Sequence, residues 1–173
     1  MASILKSVPQ LLLTTTEAIM KTLLKIFSIL ISVMIVTSSM AANNRATPEE
    51  AKTMLKKAVV YLKEHGKEKA FAKFSDKEGE FVDRDLYLTV YDFNGKTLAH
   101  GINPRMVGKD NIMLQDADGK FLIKERIGIA KAKGGGVQEY KFFNPVSKEI
   151  EHKIMFFEVV GDVIVACGAY KPN

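Results

Sequence analysis

Lys153 is the residue whose setting most needs a chemical explanation. It heads the run Lys153-Ile154-Met155-Phe156-Phe157, inside a segment, Glu149 to Val160, that reads as a strand. A cation on a buried strand face needs a partner, and a ligand carboxylate is one. The alternative is that Lys153 opens the strand on its solvent face. His100 could donate to a carboxylate or carbonyl, but a lone histidine serves equally as a structural hydrogen-bonder. Arg105, after Pro104, could grip a carboxylate through two parallel bonds, or stay solvated in its loop. Tyr140 follows Gly134-Gly135-Gly136. Its hydroxyl could reach a ligand, or its ring could fill core. Tyr87 and Tyr91 share a strand face with Thr89. That face is polar for a core and ordinary for an exposed sheet, and the pattern does not choose.

Other chemistries find no support. Ser75 and Ser147 sit in loops with no histidine near them, so no nucleophile–base–orienter set is visible and no enzyme is expected. The three glycines close a helix and no Lys-Ser/Thr follows, so they are not a phosphate loop. Asp116-Ala117-Asp118-Gly119 has the start of a calcium loop, but Glu125 falls at the wrong distance to complete it, and a turn is expected. Cys167 is the one cysteine, and His65, His100 and His152 have no ligand-like spacing. Neither an intrachain disulfide nor a multi-cysteine zinc site can form, and no metal or cofactor is expected. The net charge of +5 is spread along the chain rather than clustered, which argues against nucleic acid as a partner.

The 173 residues suit one domain and a small excess. The excess sits at the front. Lys21 and Lys25 precede an apolar stretch, Ile26 to Val36, and Ser39-Met40-Ala41 follows with small residues where a signal peptidase reads. That is the layout of a secretory signal peptide. The stretch is shorter than the ~20 residues that span a bilayer, so cleavage is expected over an uncleaved anchor. The expected organisation is a mis-called start over 1–19, a signal peptide over 20–41 and one domain over 42–173, periplasmic or secreted.

Within the domain, Thr47-Pro48-Glu49-Glu50 starts a helix, with Thr47 as cap and Glu50 three residues later. Apolar residues recur at helical spacing from Ala51 to Leu62, and Gly66 ends the pattern. A short second helix is expected over Lys67 to Phe74. Asp85 to Phe93 alternates as a strand, with Leu86, Leu88 and Val90 on one face. Asn94-Gly95 is a strong hairpin turn, and Lys96 to His100 returns as the next strand. Gly101 to Asp118 is irregular. Phe121 to Lys133 reads as a helix. Strands are expected over Val137 to Phe142, Glu149 to Val160 and Asp162 to Tyr170. Short-looped strands in series imply an antiparallel sheet with the long helix on one face, an α+β fold.

The stretch Val90 to Gly101, then Asn103-Pro104, Val107-Gly108-Lys109 and Asp118-Gly119-Lys120, resembles the single Cache domain family. Gly136 to Tyr140, Asn144-Pro145, Lys153 and Cys167 to Tyr170 continue the pattern in the same order. The resemblance implies a PAS-like extracytoplasmic sensor, with a long N-terminal helix on a five-stranded antiparallel sheet. It also implies a pocket between the sheet and the segment His100 to Asp118. Lys153, His100 and Tyr140 would hold the polar end of a small ligand, a short organic carboxylate, with Arg105, Tyr87 and Tyr91 as further contacts. Met106, Val107 and Phe157 would wall the rest. Relatives often carry tyrosine three residues after the lysine, where this chain has Phe156. Many relatives also continue into a transmembrane helix and a signalling module, whereas this sequence stops three residues after Tyr170. Signal transduction or chemotaxis would therefore pass through a partner, a membrane histidine kinase or chemoreceptor. The competing expectation is a structural or protein-interaction module without ligand.

Overall fold

The computed structural model describes residues 45–171. The expected mis-called start and signal peptide lie outside them. Helix α1 (Pro48–Phe74) begins where both halves of a capping box close: Thr47 Oγ1 accepts from the Glu50 N–H, and the Glu50 carboxylate accepts from the Thr47 N–H. Its buried stripe is Ala51, Leu55, Ala58, Val59, Leu62, Ala70 and Phe74. Gly66 does not end this element. It adopts φ 76°, kinks the helix, and the turns resume beyond it. The two expected helices are thus one element bent at a residue that tolerates positive φ.

Strand β1 (Val82–Asp83) pairs with β2 (Leu86–Asp92) across a turn in which Arg84 has φ 55°. Next, β2 pairs with β3 (Thr97–His100) through the Asn94-Gly95 turn. Asp92 Oδ1 accepts from the Asn94 and Lys96 N–H groups, and Gly95 takes φ 91°. A single 3-10 turn, Pro104–Met106, interrupts the irregular segment. Helix α2 (Leu122–Lys133) ends at Gly134, which is left-handed and donates to the Ala130 carbonyl. Strands β4 (Gly135–Phe143), β5 (Ile150–Val160) and β6 (Val163–Lys171) complete the sheet.

The sheet is antiparallel with order β1-β2-β6-β5-β4, and β3 also pairs with β2. It has six strands rather than the expected five. The addition is β1, whose two residues are too few to show a period-two pattern. No helix among the described residues is long and apolar enough to cross a membrane.

Each face of the sheet packs its own core. Leu86, Leu88, Val90, Phe156, Val163, Val165 and Cys167 lie against α1. Tyr91, Tyr140, Met155, Phe157, Ile164 and Ala166 lie on the opposite face, with Leu122, Ile123, Ile127 and Ala130 of α2. The central strands β2 and β6 are therefore buried on both sides. Cys167 belongs to the α1 side; burial pushes its thiol up to about 12 and leaves it unreactive. Phe74 closes the lower end of that core, edge-on to Phe81 with ring centroids 4.8 Å apart. Phe74→Ala should cost about 3–5 kcal/mol of unfolding free energy, measured by urea denaturation. A loss under about 1 kcal/mol would show that the kinked end of α1 does not seal the core.

Candidate functional site

The face opposite α1 carries the polar residues. Strand alternation puts Tyr87, Thr89 and Tyr91 on it together. Register aligns Tyr140, Lys153 and Tyr170 across β4, β5 and β6, and sets His100 beside Thr89. A cavity of about 30 Å³ opens between this face and its cover. Its polar lining is Tyr87, Thr89, Tyr91, His100, Arg126 and Tyr140. Its apolar lining comes from Met106, Leu114, Leu122, Ile123, Phe142 and Met155. The Tyr-Thr-Tyr face is thus neither solvent-exposed nor plain core.

Lys153 is 1 % exposed, which removes the solvent-face alternative. Its Nζ donates to Tyr87 Oη at 2.9 Å and lies 4.0 and 4.2 Å from the ring centres of Tyr87 and Tyr170. Tyr170 donates to the Phe143 carbonyl at 2.7 Å, so at 3.4 Å Tyr87 is the donor and Tyr170 the acceptor. The ammonium therefore starts a directed chain of hydroxyls. Gly168 makes room for it: a Cβ there would stand 3.1 Å from Lys153 Cε and 2.6 Å from the Ile154 carbonyl. Desolvation pulls the Lys153 amine down to about 7. Lys153 lies beneath Tyr87 rather than on the cavity surface, because it is held by that hydroxyl.

His100 is stacked on Tyr87, with centroids 5.2 Å apart. Burial, with the Lys153 charge second, drops it to about 4, so the ring is neutral near pH 7. Its Nδ1 accepts from the N–H groups of Asn103 and Ile102. The proton then sits on Nε2, which is the ring's remaining donor. Burial also raises the Tyr140 hydroxyl to about 12 and the Tyr87 hydroxyl well above its usual range, so both remain protonated.

Sequence reasoning missed Arg126. It is 1 % exposed, lines the cavity, and donates through Nη2 to Gln138 Oε1 at 2.9 Å. Gln138 in turn donates to the Leu122 carbonyl, which fixes the pair. The guanidinium lies within 6 Å of the ring centres of Tyr91, Tyr140 and Phe157. Its Nε has no hydrogen-bond partner. Among the described residues neither Arg126 nor Lys153 forms an ion pair. One carboxylate lies near: Asp85, buried, with Oδ1 held by the Ala46 N–H and Oδ2 unpaired. Desolvation raises its pKa, which favours the neutral acid and weakens it as a counter-charge. A sequence signal for Arg126 existed. It interrupts the apolar stripe Ile123, Ile127 and Ala130 on α2.

Besides Lys153, three expected contacts lie off the cavity surface. Arg105 is exposed on the 3-10 turn, where its N–H donates to Asn103 Oδ1 and its side chain is solvated. Val107 is 38 % exposed, because the turn after Met106 carries it outward. Phe157 is buried under α2 against Arg126, one step past the cavity, and Met155 occupies the wall. Phe156 is on the α1 side, facing away from the cavity. Its missing hydroxyl therefore takes nothing from this site. Among the described residues no three His, Cys, Asp or Glu side chains converge as metal ligands.

The model of the family Single Cache domain 2 matches residues 15–171. The chain belongs to the single Cache domain family. Its fold is shared with a methyl-accepting chemotaxis protein from Vibrio parahaemolyticus, with TM-score 0.61 and 24 % identity over 80 % of this chain and 95 % of that one. A Cache chemosensory domain described for carboxylic acid recognition superposes with TM-score 0.57 and 20 % identity, over 72 % of this chain and 88 % of the other. At these identities the likeness concerns the fold. The sensor histidine kinase MctS of Rhizobium johnstonii is 37 % identical over 73 residues, which is 42 % of this chain and 16 % of the kinase. The chain thus spans a small fraction of that relative. Single Cache domains are extracytoplasmic sensor domains of chemoreceptors and histidine kinases, and sensory rather than catalytic.

The buried lysine makes stability depend on pH in a defined window. Unfolded Lys153 keeps its proton to about 10.5, while the folded amine loses it near 7. Between those values the unfolded chain binds more protons, so this group makes stability rise with pH from 7 towards 10.5. The ligand-free protein should show that contribution in denaturation between pH 7 and 9, and Lys153→Met should flatten it. An identical pH slope in the variant would mean the amine is hydrated.

Proposed function

We propose that this domain is an exported sensor for a short organic carboxylate and that it acts on a membrane histidine kinase or chemoreceptor. One observation carries the reading: a fully buried guanidinium with an unpartnered Nε opens onto a cavity that holds no carboxylate of its own. A buried cation is stabilised by a hydrogen-bonded anion, and a ligand carboxylate supplies one. Arg126 would take the carboxylate. The Nε2–H of His100 and the hydroxyl of Tyr140 are placed to donate to it. Tyr87 would pass the anion's influence to the Lys153 ammonium it already binds. Tyr91, Met106 and Met155 would enclose the carbon end.

The carboxylic acid recognition described for a domain of the same fold supports the ligand class. The leader-like segment Lys21 to Ala41 and the family's extracytoplasmic role support export. Binding becomes a signal only through a partner state with a different affinity for the ligand. The small cavity favours one other reading, a ligand-free interaction module whose space holds a water molecule.

Differential scanning fluorimetry with C2–C4 carboxylates separates the two. Acetate or propionate should raise the melting temperature, and Arg126→Met should weaken binding at least about tenfold, as expected when a charged hydrogen bond is lost. An anion would favour protonated Lys153, so binding takes up a proton, and affinity should fall as pH rises from 6 through 7 to 9. No shift with any acid at any of these pH values would leave the ligand-free reading standing. Membrane pull-downs with and without acetate test the partner, whose recovery should change with the ligand.

A further inference from the structure

The cavity holds a second unpartnered group. Among the described residues, three buried side-chain atoms lack a hydrogen-bond partner: Asp85 Oδ2, Thr89 Oγ1 and Arg126 Nε. Two of the three, on Thr89 and Arg126, belong to residues lining the same cavity. Buried hydroxyls in folded proteins are nearly always paired. Thr89 is 2 % exposed in the middle of β2, between Tyr87 and Tyr91, beside His100 on one neighbouring strand and Ala166 on the other. Ala166 is too short to cover it. Valine has the same shape and would fill this position with no orphaned group. The hydroxyl is therefore an unmet valence aimed at whatever enters.

The cavity's size limits what that is. About 30 Å³ is room for roughly two water molecules, so an acid that enters displaces part of the cover and is among the smallest. A carboxylate on Arg126 uses both of its oxygens. In a ligand of two or three carbons, a further oxygen that leaves the carboxylate intact sits most directly on the neighbouring carbon.

We propose that Thr89 is a specificity-determining residue that bonds this second oxygen, so that the site selects 2-hydroxy and 2-oxo acids over alkanoates of equal carbon number. The proposal rests on the carboxylate reading above. A hydroxyl both donates and accepts, so Thr89 serves a 2-oxo oxygen as donor and a 2-hydroxyl as acceptor. It does not separate those two classes.

Isothermal titration of the full chain with matched pairs tests this: acetate against glycolate, and propionate against lactate and pyruvate. One added hydrogen bond to a buried, otherwise unpaired group corresponds to about tenfold tighter binding. The oxygenated member of each pair should bind at least that much tighter. Thr89→Val should bring the ratio towards one, and Thr89→Ser, which keeps the hydroxyl, should retain it. Equal affinity within the wild-type pairs, or an undiminished ratio in Thr89→Val, overturns the proposal and leaves the carboxylate reading intact. Thr89 would then be satisfied by a buried water. No binding by any of the five acids overturns both. Should Thr89→Val fail to fold, the wild-type ratio and its retention in Thr89→Ser still decide the matter.

Discussion

The structure is organised around two cations that the protein buries without giving them a carboxylate. Taking a charge out of water costs several kcal/mol even after relaxation. Part of that cost is offset locally. The ammonium of Lys153 rests on a tyrosine hydroxyl and between two rings, and Arg126 lies among three rings with one amide oxygen. Aromatic faces stabilise cations, but less than a paired anion does. The remainder shows as a depressed lysine and an unpartnered guanidinium nitrogen. That remainder is what the proposed carboxylate would offset.

Everything around the cations serves to hold them there. Helix α1 saturates one face of the sheet with apolar contacts, which frees the opposite face for polar side chains. Gly168 opens the space through which the lysine stem passes. Gln138 ties the arginine to the first turn of α2. The entry to α1 is bound to the same strands. Arg45 grips Glu151 with both terminal nitrogens, at 2.5 and 2.7 Å, and the Ala46 N–H is held by Asp85. The Arg45 bonds, with Asn144 assisting, keep the Glu151 carboxyl down at about 2. Glu151 lies two residues from Lys153, and Asp85 two residues from Tyr87. The start of the domain and its polar cavity thus share β2 and β5.

Most of the fold was legible because its signals are local. The cap at Thr47, the turn at Asn94-Gly95 and the alternation of β2 each depend on residues a few positions apart. Strand β1 was not, since two residues carry no period. In the site, the pattern left the burial of Lys153 as one of two alternatives, and the resemblance implied the irregular segment as a cover but not α2. The irregular segment supplies Met106 and Leu114, while α2 supplies Leu122, Ile123 and Arg126. Arg105 and Arg126 show why. Both are arginines near apolar residues, and only the three-dimensional path of the chain sends one to solvent and the other inward.

The sequence by itself determined the order of the longer strands and of the main helical segments, the antiparallel connections and the family. Caps, turns and side-chain periodicity act within a few residues, where the chain's own chemistry decides. Tertiary structure alone decided which face of β2 met a ceiling, which arginine lost its water and which hydroxyls were left without partners. Those outcomes are set by burial, and burial at any one position depends on surfaces contributed by segments far away in the chain.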